Sequence, residues 1–306
     1  MELRTVQWKQ HENNPIIKPG SGGFLIADPT VLTPTETPDG RWHMYANSMP
    51  PRLHHFVSDD GLDWKRVSTL APRAMRPYVR VFHGKFHMFY EEIRWFLPLR
   101  SRIVHRVSDD LVTWSKPESA LEPQLPWHGR FNRTCSNPCV VHWHGEYRMF
   151  YSAGTVFLPD CLFYEPFLIG MARSDSLDGP WIPDSKPAVV PTDSPMRDMG
   201  AGSIKVVPDV DRNLLWGFNN PIYTDEDGRS RSCIVLGWSV DGTQWSFEDT
   251  KPLIAPANEG WTRGLVYAMD PRLLPDGTWR MYFNARDGWL RGKERIGVAI
   301  GTPAPS

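Results

Sequence analysis

The sequence predicts an all-β fold, a five-bladed β-propeller with four antiparallel strands to a blade, and three observations predict it. The chain of 306 residues is rich in tryptophan (14) and proline (29) and reads as turn, short apolar run, turn, with hardly any stretch of 3.6-residue periodicity. A unit of three such runs recurs along the chain. The last copy lacks a closing strand, and the first residues of the chain carry one.

The units follow in order. The first reads Ala27-Asp28-Pro29-Thr30-Val31-Leu32, then Gly40-Arg41-Trp42-His43-Met44-Tyr45-Ala46, then His55-Phe56-Val57-Ser58-Asp59-Asp60 ahead of Trp64. The second has Arg76-Pro77-Tyr78-Val79, Gly84-Lys85-Phe86-His87-Met88-Phe89-Tyr90, and Ile103 to Asp110 with Trp114. The third has Asn137-Pro138-Cys139-Val140-Val141, Gly145-Glu146-Tyr147-Arg148-Met149-Phe150-Tyr151, and Ile169 to Asp175 with Trp181. A looser fourth runs from Gly202-Ser203-Ile204 through Leu215-Trp216-Gly217-Phe218 to Val235-Leu236-Gly237-Trp238-Ser239 and Trp245. The fifth has Asp270-Pro271-Arg272, Trp279-Arg280-Met281-Tyr282-Phe283 and Ile296-Gly297-Val298-Ala299-Ile300, and then the chain stops. The tryptophan after each Ser-Asp turn opens a fourth strand. Blade five finds its own in Trp8 and Asn14-Pro15-Ile16-Ile17-Lys18-Pro19, which match Trp245 and Lys251-Pro252-Leu253-Ile254-Ala255-Pro256. Closing the ring this way removes long exposed strand edges. Residues 1–306 are therefore read as one domain.

A formal net charge of -1 argues against nucleic acid, which needs a basic face to displace counterions from phosphates. No run of 18 apolar residues and no basic-then-apolar leader occurs, so neither membrane nor secretion is expected. Cys135, Cys139, Cys161 and Cys233 are scattered. Their spacing suits reduced, buried thiols better than a zinc site, and the expected location is the cytoplasm, with no cofactor and no metal.

In a four-stranded blade, the loops before first strands and those joining second to third strands share one axial end. These are the long ones, at residues 91–102, 127–136, 154–168, 219–232 and 258–269, and length on one end marks where binding and catalysis lie. The first-strand starts give Asp28, Arg76, Asn137, Asp198 and Asp270; the second-strand ends add Glu91, Asn219, Asn284 and Arg286. Paired carboxylates across a polar pocket are what glycoside hydrolysis needs, so Asp28, Asp198, Asp270 and Glu91 are the catalytic candidates. Arg76, Asn137, His128, Trp127, Asn219, Arg286 and Tyr267 are the substrate-binding ones. Each has a plainer reading: Asp28 and Asp270 as turn residues before proline, Asp198 in a salt bridge with a neighbouring arginine, the aromatics as loop packing, and Arg76 paired with Glu91. His54, His55 and His105 start third strands, one layer out, where packing is expected. Arginines are dense in these loops, and a guanidinium fork suits carboxylate or phosphate, so the ligand is expected to be a small sugar-containing molecule with anionic character.

The Asp28-Pro29 start, the Ser-Asp turns followed by tryptophan and the Met-Tyr or Met-Phe-Tyr second strands resemble the five-bladed propeller glycosidases, above all glycoside hydrolase family 43 and its relatives in families 32, 62, 117 and 130. The resemblance implies a glycosidase-like hydrolase with Asp28 as general base. It places the pKa-tuning aspartate at Asn137 and the acid, a glutamate ahead of Gly-Pro in that family, nearest to Asp198 before Met199-Gly200, so two of three positions depart from the pattern. Asp270-Pro271-Arg272 is similar to a motif of the family 130 mannoside phosphorylases. The alternatives are a propeller recruited to phosphorolysis, elimination or cyclisation, and a carbohydrate-binding propeller without catalysis.

Overall fold

The Ser-Asp turns set the frame. In each of three blades a serine hydroxyl at the end of the third strand accepts the backbone N–H three residues on (Gly61, Leu111, Gly242, at 2.8–2.9 Å). The aspartate two residues after that serine accepts the next two N–H groups. Each turn is thus fastened by its own side chains and delivers a tryptophan to the same place in its blade.

The computed structural model describes residues 2–303 and holds five four-stranded antiparallel sheets. Blade one is Ile26–Leu32, Trp42–Ser48, Arg52–Ser58 and Lys65–Pro72. Blade two is Ala74–Phe82, Lys85–Phe96, Leu99–Ser108 and Glu118–Leu121. Blade three is Cys135–Trp143, Glu146–Leu158, Phe163–Ser174 and Ile182–Pro183. Blade four is Ile204–Asp209, Leu214–Asn219, Val235–Ser239 and Ser246–Phe247, with a small hairpin of Ile222–Thr224 and Ser230–Ser232 beside it. Blade five is Leu265–Leu273, Trp279–Arg286 and Glu294–Thr302, and its outer strand is Gln7–Gln10 from the start of the chain, paired Trp8 to Gly301. Ile17 adds an antiparallel bridge to Ile296.

The core lies between blades. Met44, Met88, Met149 and Met281 on the second strands, with the aromatic that follows each, are fully buried, because both faces of a blade are covered. At every blade interface a tryptophan meets an aromatic ring of the neighbouring second strand nearly edge-on: Trp64 with Tyr282, Trp114 with Tyr45, Trp181 with Phe89, Trp245 with Phe150 and Trp8 with Phe218, at centroid distances of 5.7–6.0 Å. Edge-on pairs of this kind add about 0.5–1.5 kcal/mol each beyond area burial. Trp8 completes the ring of five, so the N-terminal strand closes the core as well as the sheet.

Innermost strands are tied across the axis by side chains. Asp270 accepts the Val31 N–H at 2.6 Å and pairs with Arg80; Thr30 accepts the Val79 N–H at 3.2 Å; the Tyr78 hydroxyl donates to the Val140 carbonyl at 2.7 Å; Lys205 donates to the Pro138 carbonyl at 2.9 Å.

Candidate active site

The first strands of blades one, two and three open on the same irregularity. Asp28, Arg76 and Asn137 hold φ of 54°, 54° and 49°, the left-handed region that residues with a Cβ disfavour, and each precedes a proline. The pairing register skips at each of these points, a bulge that turns the side chain toward the axis. Such a residue costs of order 1–3 kcal/mol unless its surroundings hold it. Here they do: Asn284 accepts the Asp28 N–H at 3.1 Å, and Asn47 accepts the Arg76 N–H at 2.7 Å. In blade four Gly202 takes the same conformation at φ 66°, and Asn220 accepts the Ser203 N–H at 3.0 Å. A side chain at Gly202 would meet the Asn220 carbonyl oxygen at 1.9 Å, so only glycine fits.

These residues line an axial pocket of about 420 Å³. Its deep part is polar, with Asp28, Arg76, Asn137, Ser203, Asn220, Asn284, Arg286 and Glu294, joined by Glu165 and Tyr267. The rest of its lining comes from the hairpin extensions of blades two and three and from loops and is mostly apolar, with Tyr164 among it. Asn137, Ser203, Asn220, Asn284 and Glu294 are buried, whereas Phe96 at the mouth is 54% exposed.

Three carboxylates share one electrostatic field. Burial pushes the Glu165 carboxyl up, with Glu294 and Asp28 adding to the rise and Arg76 and Tyr267 opposing it, to about 8. Burial raises Glu294 to about 7 with help from the Asp28 charge, against Arg286, whose guanidinium lies 3.2 Å away. Asp28 is also raised by burial, restrained by the Arg76 charge, by the neighbouring Asn47 amide and by Lys205. Lys205 lies beneath, buried over the Tyr78 ring at 5.1 Å, and its own pKa is lowered by burial. The Tyr267 hydroxyl is buried in the pocket lining beside Glu165. Among the described residues no group of three or more His, Cys, Asp or Glu side chains is placed to hold a metal ion.

The predicted residues divide. Asp28, Arg76, Asn137, Tyr267 and Arg286 line the pocket. Glu91 stands behind Arg76, fully buried, with Oε2 on Arg76 Nη1 at 2.5 Å and Oε1 unpartnered; the plainer reading of Arg76 as a salt bridge holds, although the same guanidinium also acts on Asp28 and Glu165. Asp270 is elsewhere. It pairs with Tyr282 as Thr30 pairs with Tyr45, two residues past the slot of Asp28, because the blade-five bulge falls at Tyr267-Ala268. There it clamps Arg80 and lies outside the pocket lining. Asp198 is on the surface, accepting the Thr224 N–H at 2.9 Å, and it is Arg197 that makes the neighbouring salt bridge, to Asp249 at 2.7 Å.

His128 is fully buried; its Nδ1 accepts the Gln124 N–H at 3.1 Å, so the proton sits on Nε2 toward the Tyr151 hydroxyl at 2.9 Å, and burial lowers its pKa to about 4. Trp127 stacks on Tyr151 and donates to the Ser185 carbonyl at 3.0 Å, as loop packing. Asn219 spends its amide on the Ala201 and Ser203 carbonyls at 2.8 and 2.7 Å, and strand alternation gives the pocket to Asn220. His55 and His105 pack, as expected, against His43 and His87 at 2.8 and 2.9 Å.

Glu165 and Glu294 are the site residues that sequence reasoning missed. Glu165 lies in residues 154–168, read as loop but folded as an extension of the blade-three hairpin, with Glu165 opposite Val156. Glu294 was within reach: counting the hairpin outward from Trp279 opposite Gly301 places it across from Arg286.

No family model and no curated protein sequence matches the chain. Solved structures do. A member of glycoside hydrolase family 130, described as a family of mannoside phosphorylases containing hydrolases that target β-1,2 mannosidic linkages in Candida mannan, aligns with a TM-score of 0.66 at 15% identity over 97% of this chain and 95% of its own. The fold is that of the five-bladed propeller glycosidases. A family 117 glycoside hydrolase from Zobellia galactanivorans shares this glycosidase fold with a TM-score of 0.62 at 13% identity, over 97% of this chain and 90% of its own. An α-L-arabinofuranosidase from Lactobacillus brevis shares it with a TM-score of 0.61 at 15% identity, over 93% and 92%.

Proposed function

We propose that the chain is an enzyme that cleaves a glycosidic bond in a small sugar-containing substrate, with Asp28 as base toward water or as nucleophile and Glu165 as general acid. The observation that carries the reading is the separation of roles among the pocket carboxylates. A general acid must hold its proton near neutral pH, and Glu165, raised to about 8, does so. Burial leaves the Asp28 pKa raised overall, but Arg76, Lys205 and the Asn47 amide draw it back, and cationic surroundings of this kind suit the carboxylate that works ionised. In the reaction Asp28 takes a proton from water as the water oxygen attacks the anomeric carbon, or attacks that carbon itself to form a glycosyl-enzyme, which water deprotonated by Glu165 then hydrolyses to free Asp28. The leaving oxygen takes the Glu165 proton as the bond breaks. Glu294, held by Arg286, adds negative charge that keeps Glu165 protonated. Asn137, Ser203, Asn220 and Asn284 surround the sugar end with short polar side chains.

Arg76 and Arg286, the arginines of the pocket among the described residues, each already face a glutamate. An anionic group on the substrate, or phosphate as the attacking species, therefore has to compete with Glu91 and Glu294 for these guanidinium groups. The test is release of free sugar from a panel of nitrophenyl glycosides with and without phosphate. Release by the wild type, lost at least about a hundredfold in Asp28→Asn with the fold intact, supports the reading. A strict requirement for phosphate reassigns the reaction to phosphorolysis. No release from any glycoside removes it in favour of carbohydrate binding alone.

A further inference from the structure

We infer that the substrate is an amphipathic glycoside, whose small polar sugar lies at the bottom of the axial pocket and whose departing part is an apolar body, a hydrocarbon chain or ring, running up to the mouth. The inference rests on the reading of this pocket as the reaction site and names what it takes. Beside the polar groups the lining is apolar: Leu25, Met49, Ile93, Phe96, Leu99 and Phe163 line the cavity. Rings such as Phe96 and Phe163 stack on sugar faces, but the aliphatic side chains of Leu25, Met49, Ile93 and Leu99 offer neither a ring nor a hydrogen bond.

A further sugar placed against them would bring hydroxyl groups out of water with no partner, an unfavourable exchange at every hydroxyl. An apolar body instead gains at each carbon enclosed. The apolar character continues outward through large exposed side chains at the mouth, Phe24 at 47%, Phe96 at 54% and Leu162 at 63% exposure. Isolated exposed apolar residues are ordinary, but a set of them rimming a concave site with convergent polar groups at its base marks a ligand surface. The polar end is fixed by the same geometry, because Asn137, Asn220 and Asn284 are buried beside Asp28 whereas Phe24, Phe96 and Leu162 are exposed, so the bond to be broken lies between sugar and apolar body.

The experiment is a ladder of methyl, propyl, butyl and hexyl glycosides of common sugars in both anomeric forms, with binding measured by calorimetry and cleavage by product analysis. Affinity is expected to rise by about fourfold for each methylene enclosed, the gain from burying one CH₂, until the chain clears the rim. Phe96→Ser, at an exposed position that tolerates a polar side chain, should reduce the hexyl-to-methyl ratio several-fold. Chain-length dependence without cleavage leaves this inference standing and sinks the glycosidase reading. Affinity independent of chain length, or no binding by any member of the ladder, overturns the inference whichever way cleavage falls.

Discussion

Replacing Asp270 with alanine separates an axial clamp from a catalytic acid. Asp270 is fully buried. Its carboxylate accepts the Val31 N–H of blade one at 2.6 Å and pairs with Arg80 of blade two, so one side chain of blade five ties three blades. Asp270→Ala leaves Arg80 without its counter-charge and Val31 with an orphaned buried donor. Breaking a buried pair from one side costs about 3–5 kcal/mol, and the retained bonds from Arg80 to the Thr30 hydroxyl and Val79 carbonyl favour the lower half, about 3.5 kcal/mol. With an unfolding entropy of about 2.1 cal/mol/K per residue over 306 residues, roughly 0.6 kcal/mol/K, that loss lowers Tm by about 6 °C. Differential scanning calorimetry measures it, alongside kcat/KM at a temperature where the variant is folded, expected within about tenfold of wild type. A Tm within about 1 °C of wild type together with loss of turnover by a hundredfold or more would refute the clamp and restore Asp270 to the chemistry.

Deleting residues 1–19 removes the outer strand of blade five and the Trp8 contact with Phe218 and exposes the edge of Glu294–Thr302; the truncated protein should melt more than 10 °C lower or aggregate, and an unchanged melting temperature contradicts the closure. Glu165→Gln should stabilise the protein in a pH-dependent way. The folded carboxyl is raised from 4.5 to about 8, so the unfolded chain releases this proton at lower pH than the native one, and the group weakens folding progressively as pH climbs through that window. The variant's advantage in urea denaturation should therefore be larger at pH 7.5 than at pH 5, by at most about 1.4 kcal/mol per pH unit; an equal difference at both values contradicts the shift.

The repeat carried the fold in the sequence because each blade is assembled from local signals: Ser58, Ser108 and Ser239 fasten their own turns, and each tryptophan behind them has one place to go. Trp8 was legible for the same reason. Asp28, Arg76 and Asn137 were legible too, since a residue before proline at the start of three aligned strands marks one slot. Blade five broke the pattern by moving its bulge from Asp270-Pro271 to Tyr267-Ala268, and a bulge leaves no mark in composition. Glu165 was hidden because the blade-three hairpin outgrows its sheet through Leu158 and Phe163, and a strand that leaves the repeat looks like loop. Asn219 and Asn220 show the remaining difficulty. Neighbours in sequence face opposite ways, and only the register decides which one the pocket receives.

The dependence of kcat/KM on pH tests the central claim most directly, because it reads the ionisation of the proposed acid in the free enzyme. On a glycoside with a poor leaving group, the wild type should lose activity as pH rises through about 8, where Glu165 gives up its proton. Glu165→Gln should be slower by roughly a hundredfold or more and should show no limb near that pH. An alkaline limb that stays in place in Glu165→Gln, with turnover close to wild type, would contradict the assignment of Glu165 as the acid of the axial pocket.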